Sequence, residues 1–268
     1  MKKPIPIMFE SNGANIHAIF YQGSELEPLP TVVLCHGLPG NKTDVLGLGE
    51  RLMKEGFNAL AFNYRGTWGS EGLLTIANSL DDVVSAIRFV KSSHTVQKFN
   101  VDPSSISVMG YSFGGGMALL GSLSDPAARK VAYIAGGNLS EVARLMEKSD
   151  EYKRAILGDL NGLPSLGFKS ISGEEMVTEV CAGMDKYDLV KHAEAISNKD
   201  VLIIGGWRDK ENTIEHHLLP LLRALQRHEA KRVQIEIFDT NHSFTDVRSQ
   251  LADRIVSWLR RTPTQTQW

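Results

Sequence analysis

Gly110-Tyr111-Ser112-Phe113-Gly114 lies between the apolar run Ile106 to Met109 and the segment Gly115-Gly116-Met117-Ala118-Leu119-Leu120. The order is strand, sharp turn, helix. A serine at the apex of such a turn is held in a strained backbone conformation that pushes its Oγ out of the sheet. Small residues two before and two after it let strand and helix approach closely. Successive glycines at a helix start cost about 1 kcal/mol each relative to alanine, so close packing rather than helix propensity accounts for them. The competing reading is a glycine-rich turn that contains a serine by chance, and the rest of the chain must choose between the two.

The chain has 268 residues, 42% of them hydrophobic, and its middle carries no linker-like stretch, so one domain spanning 1–268 with a substantial core is expected. Lys+Arg 29 against Asp+Glu 31 gives a formal charge of -2 without blocks of like charge. This composition argues against a nucleic-acid partner and against a membrane-binding face. Met1 to Ile7 has two lysines but no apolar run of signal-peptide length, and no later stretch is long enough to span a bilayer, so a soluble cytoplasmic protein is expected. Cys35 and Cys181 are too few for a disulfide framework, and Cys35 reads as a reduced thiol in an apolar strand. No metal or cofactor is called for.

Around the central turn, strands and helices alternate. Pro4 to Phe9 and Asn15 to Tyr21 flank the turn Ser11-Asn12-Gly13 as two antiparallel edge strands. Thr31 to Cys35 is a continuous apolar run, as a strand covered on both faces requires, and it ends in His36-Gly37-Leu38-Pro39-Gly40. A helix from Lys42 to Lys54 is expected next, with Asn41 as N-cap and Asp44 completing a capping box. The glycines and Lys42-Thr43 here lack the register of a phosphate-binding loop, because Asn41 separates glycine from lysine. Phe57 to Asn63 is another buried strand, and the loop after it carries Arg65, expected to pair with Asp81 or Asp82. Leu80 to Val90 has helical spacing; Val131 to Ala135, Val201 to Ile204 and Val233 to Phe238 are further strands, with a helix from about Ile214 to His228 and a last one carrying Val247, Leu251, Ile255 and Leu259. The pattern predicts an α/β fold with a mostly parallel sheet of about eight strands and helices on both faces. Ser140 to Lys199 breaks the alternation with a charged, mainly helical segment, read as a cap or lid insertion.

Open sheets of this kind gather function where loops leave the carboxyl ends of strands. Ser112, Asp209 and His242 all follow predicted strands directly. A serine hydroxyl needs a base to become nucleophilic at neutral pH, an imidazole suits that task, and a carboxylate fixes the imidazole's tautomer. Asp239 is a competing acid, but Asp209 has the better strand-end position. His36 reads as a loop-holding residue, His216 and His217 as exposed helix residues, and Trp68 and Trp207 as pocket or core aromatics.

His36-Gly37, Tyr64-Arg65-Gly66, Gly69-Ser70-Glu71-Gly72, the turn at Ser112, Gly205 to Asp209 and Asn241-His242-Ser243-Phe244 together resemble the α/β-hydrolase fold. Within that superfamily the chain is similar to the dienelactone hydrolase, prolyl-oligopeptidase-like and cinnamoyl (feruloyl) esterase-like members. The resemblance implies a catalytic triad of Ser112, His242 and Asp209, with an oxyanion hole formed by the N–H groups of Leu38 and Phe113. It further implies a serine hydrolase of carboxylesterase type acting on a small-molecule acyl substrate without cofactor or metal. A peptidase, a thioesterase or acyltransferase, and a non-catalytic binding protein of the same fold are the rivals.

Overall fold

A computed structural model describes residues 3–43 and 45–261. The expected partner of Asn41, Asp44, lies outside them, as do Met1 and Lys2 of the amino-terminal stretch. The strands are β1 (Ile5–Ser11), β2 (Ala14–Tyr21), β3 (Leu29–Cys35), β4 (Asn58–Phe62), β5 (Val101–Tyr111), β6 (Ala128–Ile134), β7 (Asp200–Gly206) and β8 (Val233–Phe238). They form one sheet in the order β1-β2-β4-β3-β5-β6-β7-β8. The first two strands run antiparallel at one edge, joined through Asn12 and Gly13, both at positive φ, and β2 meets β4 antiparallel. From β4 to β8 every pairing is parallel.

Parallel strands need a crossover between neighbours, and helices supply it on both faces. The helices preceding the insertion are α1 (Leu48–Lys54), α2 (Ile76–Lys91), α3 (Ser93–Phe99) and α4 (Phe113–Ser122). The alternation of side chains divides the core in two: Val33, Cys35 and Ile203 pack with α2 and α4, while Val32, Leu34 and Ile204 pack with α1 and the last helix. The Arg65 guanidinium meets the buried Asp82 carboxylate at 2.6 Å and Asp81 at 3.6 Å, and Ser11 Oγ donates to Asp82 at 2.6 Å. This network ties the β4 loop to α2 and β1.

The segment after β6 holds α5 (Leu139–Lys148), α6 (Asp150–Gly162), a 3-10 turn (Leu163–Leu166), α7 (Gly173–Ala182), α8 (Met184–Tyr187) and α9 (Ala193–Ser197). It is fastened to the sheet at its margins. Leu74 N–H donates to Lys169 O at 2.7 Å, and Lys169 N–H to Gly66 O at 2.8 Å. The Glu179 carboxylate of α7 accepts the N–H groups of Ile76 and Ala77 at the start of α2, where unpaired amides and the helix dipole favour an anion. After β7 come α10 (Leu219–Arg227) and α11 (Arg248–Arg260).

Three sequence expectations need correction. The first helix begins at Leu48, not Lys42, because Leu46 and Gly47 both adopt positive φ and cannot continue a helix; the Asn41 side chain instead closes a local turn onto Thr43 N–H at 2.8 Å. A short extra helix, α3, precedes the central strand, capped by Ser92. The expected helix from Ile214 opens with a π-helical turn, Ile214–Leu218, and becomes α-helical only at Leu219. No helix among the described residues is long and apolar enough to cross a membrane.

Candidate active site

Ser112 sits between β5 and α4 at φ 56 and ψ -124, a strained conformation for a residue with a side chain. Its backbone is pinned on both sides: its N–H donates to Ile134 O at 3.0 Å, and its carbonyl accepts from Gly115 at 2.9 Å and Gly137 at 3.1 Å. The flanking glycines have no room for a side chain. A Cβ on Gly110 would stand 1.8 Å from Gly114 O, and one on Gly114 would stand 2.3 Å from Cys35 O. These contacts are the physical reason for small residues on both sides of the serine.

The loops after β7 and β8 bring the other two residues to Ser112. His242 Nε2 lies 2.9 Å from Ser112 Oγ, and its Nδ1 lies 2.7 Å from Asp209 Oδ2. A carboxylate can only accept, so the imidazole hydrogen is on Nδ1 and Nε2 is free to accept the serine proton. Asp209 is itself oriented, its Oδ1 accepting N–H groups from Glu211 at 2.9 Å and Asn212 at 3.0 Å. The competing acid, Asp239, is an exposed surface residue paired with Arg208 at 2.8 Å.

Phe113 opens α4, whose first amides lack intrahelical partners, and Leu38 lies on the loop after β3 that passes beneath the serine. A Cβ on Gly37 would meet Ser112 Cβ at 2.9 Å, which fixes how close that loop runs. Leu38, Ser112 and Phe113 share the wall of a cavity of about 390 Å³. Its roof comes from the helical segment: Val142, Ala143 and Met146 of α5; Tyr152, Ala155, Ile156, Asp159 and Leu160 of α6; and Met176, Val177 and Val180 of α7. The α6 set follows 3-4 helical spacing, a signal present in the sequence of the helical segment. Lys210, Glu211 and Asn212 complete the rim. Neither Trp68 nor Trp207 lines this cavity; the Trp68 indole packs edge-on against Phe168 and donates to Gly40 O at 2.8 Å.

Two other histidines are buried nearby. His36 Nδ1 donates to Gly37 O at 2.6 Å, consistent with a loop-holding role, and burial pulls its pKa down to about 4. His217 corrects the expectation of exposure: it is 2% exposed, and its Nδ1 accepts the N–H of Asn138 at 3.1 Å where β6 gives way to α5. Burial lowers its pKa to about 4 as well. Asn138 also donates to Asp188 at 3.0 Å, and Asp188 pairs with Arg144, so one polar chain joins the π-helical turn, the end of β6 and α5. Among the described residues no group of three or more His, Cys, Asp or Glu side chains is gathered to hold a metal.

The BD-FAE family model matches residues 18–161, more than half of the chain, from β2 through the turn at Ser112 to α6. The chain belongs to the BD-FAE family. Asp209 and His242 fall beyond the matched stretch of this BD-FAE member. It is 33% identical over 127 residues to the quorum-quenching protein AidA of Acinetobacter baumannii, a match covering 46% of this chain and 40% of AidA. It is 26% identical over 210 residues to YfhR of Salmonella typhimurium, covering 75% of this chain and 64% of YfhR. The aligned stretches thus span less than two thirds of either relative. Among solved structures, the esterase Pf2001 of Pyrococcus furiosus superposes with a TM-score of 0.71 at 16% identity, covering 98% of this chain and 92% of that one. Est1E from Butyrivibrio proteoclasticus gives 0.68 at 15% identity, covering 95% and 97%. The fold of this BD-FAE protein is that of the α/β-hydrolases.

Proposed function

We propose that this protein is a serine hydrolase of carboxylesterase type that cleaves a small or medium carboxylic ester. The observation that carries this reading is the hydrogen-bonded chain from Asp209 through His242 to Ser112, opening into a mainly apolar cavity. Ser112 Oγ attacks the acyl carbon as its proton passes to His242 Nε2. The new C–O bond creates an oxyanion beside the N–H groups of Leu38 and Phe113, two fixed donors of the kind that lower such barriers most. Collapse breaks the bond to the leaving oxygen, which takes the proton from Nε2 and departs as an alcohol. Water then repeats the sequence on the acyl-enzyme, giving up a proton to Nε2 and releasing the acid and Ser112. Asp209 holds the imidazole in the required tautomer throughout.

The helices within 140–199 act as the cap that shapes the acyl pocket, and their stripes favour an uncharged acyl group. The fold neighbour Pf2001 is named an esterase, which agrees with this chemistry. Two free cysteines suit a reducing cytoplasm. A panel of esters of graded acyl length, run beside an aminoacyl amide and a thioester, identifies the bond cleaved. Ser112→Ala is expected to lower turnover by roughly 10³-fold or more and to abolish labelling by a fluorophosphonate. Retention of both by a folded variant would remove Ser112 from the mechanism.

A further inference from the structure

Resting on that hydrolase reading, we infer that Glu211 makes the leaving-group side of the site selective for esters of positively charged alcohols. The Glu211 carboxylate lies 3.4 Å from His242 Nε2, the atom that hands a proton to the departing oxygen. Proton transfer requires the leaving oxygen within about 3.2 Å of the same nitrogen, so that oxygen and the carboxylate can be no more than about 7 Å apart. A cationic group two or three bonds along the alcohol falls within range of the carboxylate, whereas an anionic group there meets like charge.

The backbone of Glu211 is fixed beside the imidazole. Glu211 N–H donates to Asp209 Oδ1 at 2.9 Å, so the loop that orients the acid of the triad also sets the place of Glu211. The other charged groups on the cavity wall are Asp159 and Lys210, giving two carboxylates against one ammonium. Of the guanidinium groups in this region, Arg208 is turned to Asp239 and Asp246 on the outer surface, and Arg248 donates from Nε to Ser243 O at 3.4 Å on the Tyr111 side of the imidazole. Asp159 lies on α6 in the roof, so at the His242 edge of the cavity the charged side chains on its wall are Glu211 and Lys210, of which Glu211 stands beside Nε2. The side chain of Glu211 is 72% exposed, so solvent screens the interaction and its effect is modest.

The test compares butyrate esters of choline, of its neutral isostere 3,3-dimethylbutanol and of the anionic 2-hydroxyethanesulfonate. Each kcat/KM is divided by the ester's hydroxide-catalysed rate to remove differences in leaving-group chemistry. In the wild type the choline ester is expected to lead the neutral one by about two- to five-fold at low ionic strength, with the anionic ester last and the spread narrowing as salt is raised. Glu211→Gln should bring the choline-to-neutral ratio close to one, and Glu211→Lys should place the anionic ester first. Cleavage of all three esters by the wild type without a charge ranking, or a ranking that survives in Glu211→Gln, overturns this inference alone. Cleavage of none by folded wild-type protein overturns the hydrolase reading and this one with it.

Discussion

The turn at Ser112 and the helical segment above it are packed in opposite ways. At the turn, backbone presses on backbone: Gly115 and Gly116 face Gly136 and Gly137 so closely that an added Cβ would stand 2.7 Å from Gly136 Cα or 2.4 Å from Gly137 O. In the cap, α6 buries no residue fully, and an added Cβ on Gly158 or Gly162 meets nothing within 4 Å. The cap is anchored at its edges, by Glu179 on α2 and by the Asn138–Asp188–Arg144 chain, while its middle spans the cavity. On the proposed function, atoms that react must be held to a fraction of an ångström while a wall that receives an acyl group has to leave space, a division the two packings suit.

That contrast is broken most directly at Gly114. Its alanine variant places a methyl against two carbonyl oxygens, of Cys35 and His36, at 2.3 and 2.5 Å. Neither can move without distorting the loop under Ser112, so a loss of about 3 kcal/mol or more is expected in urea unfolding. A variant as stable as the wild type would show that the turn has slack.

The next effect is pH-dependent and spans both regions, since His36 lies under the turn and His217 at the joint with the cap. Each imidazole titrates near 6.5 in the unfolded chain and near 4 when folded. As pH falls between these values the unfolded chain binds protons that the folded chain refuses, so the stability both contribute is complete above about pH 6.5 and is lost progressively toward pH 4. Between pH 7 and 5 each should remove about 2 kcal/mol. His217→Asn, whose amide oxygen can still accept from Asn138, should flatten the stability curve by about half; an unchanged curve would place the titrating groups elsewhere.

The smallest effect is a gain. Gly158→Ala adds a methyl into open space in the interior of α6 and should raise stability by about 1 kcal/mol, read from the melting temperature, with ester turnover retained. Destabilisation instead would mean that α6 is more tightly packed than its open surroundings indicate.

Much of the sheet is legible in the sequence, because a parallel strand covered on both faces must be apolar at nearly every position, as Val201 to Ile204 and Val32 to Cys35 are. Ser112, Asp209 and His242 can be picked out because each follows such a strand directly. The helix start at Leu48 is obscured because positive φ at Leu46 leaves no compositional mark. His217 misleads for a different reason. Consecutive histidines on one turn look alike in sequence, but only His217 faces the backbone N–H of Asn138, 79 positions away.

The order of residues alone determined an alternating α/β chain, a serine on a strained turn and acid and base partners at later strand ends. Hydrophobic periodicity and turn chemistry are local properties, and local properties are what a linear string records. Only the tertiary structure decided that the α6 stripe faces a cavity rather than a core, that His217 is buried where the helical segment joins the sheet, and that Glu211 stands beside Nε2 of His242. Each of these depends on what segments distant along the chain bring opposite a side chain, and periodicity specifies a face without naming what it meets.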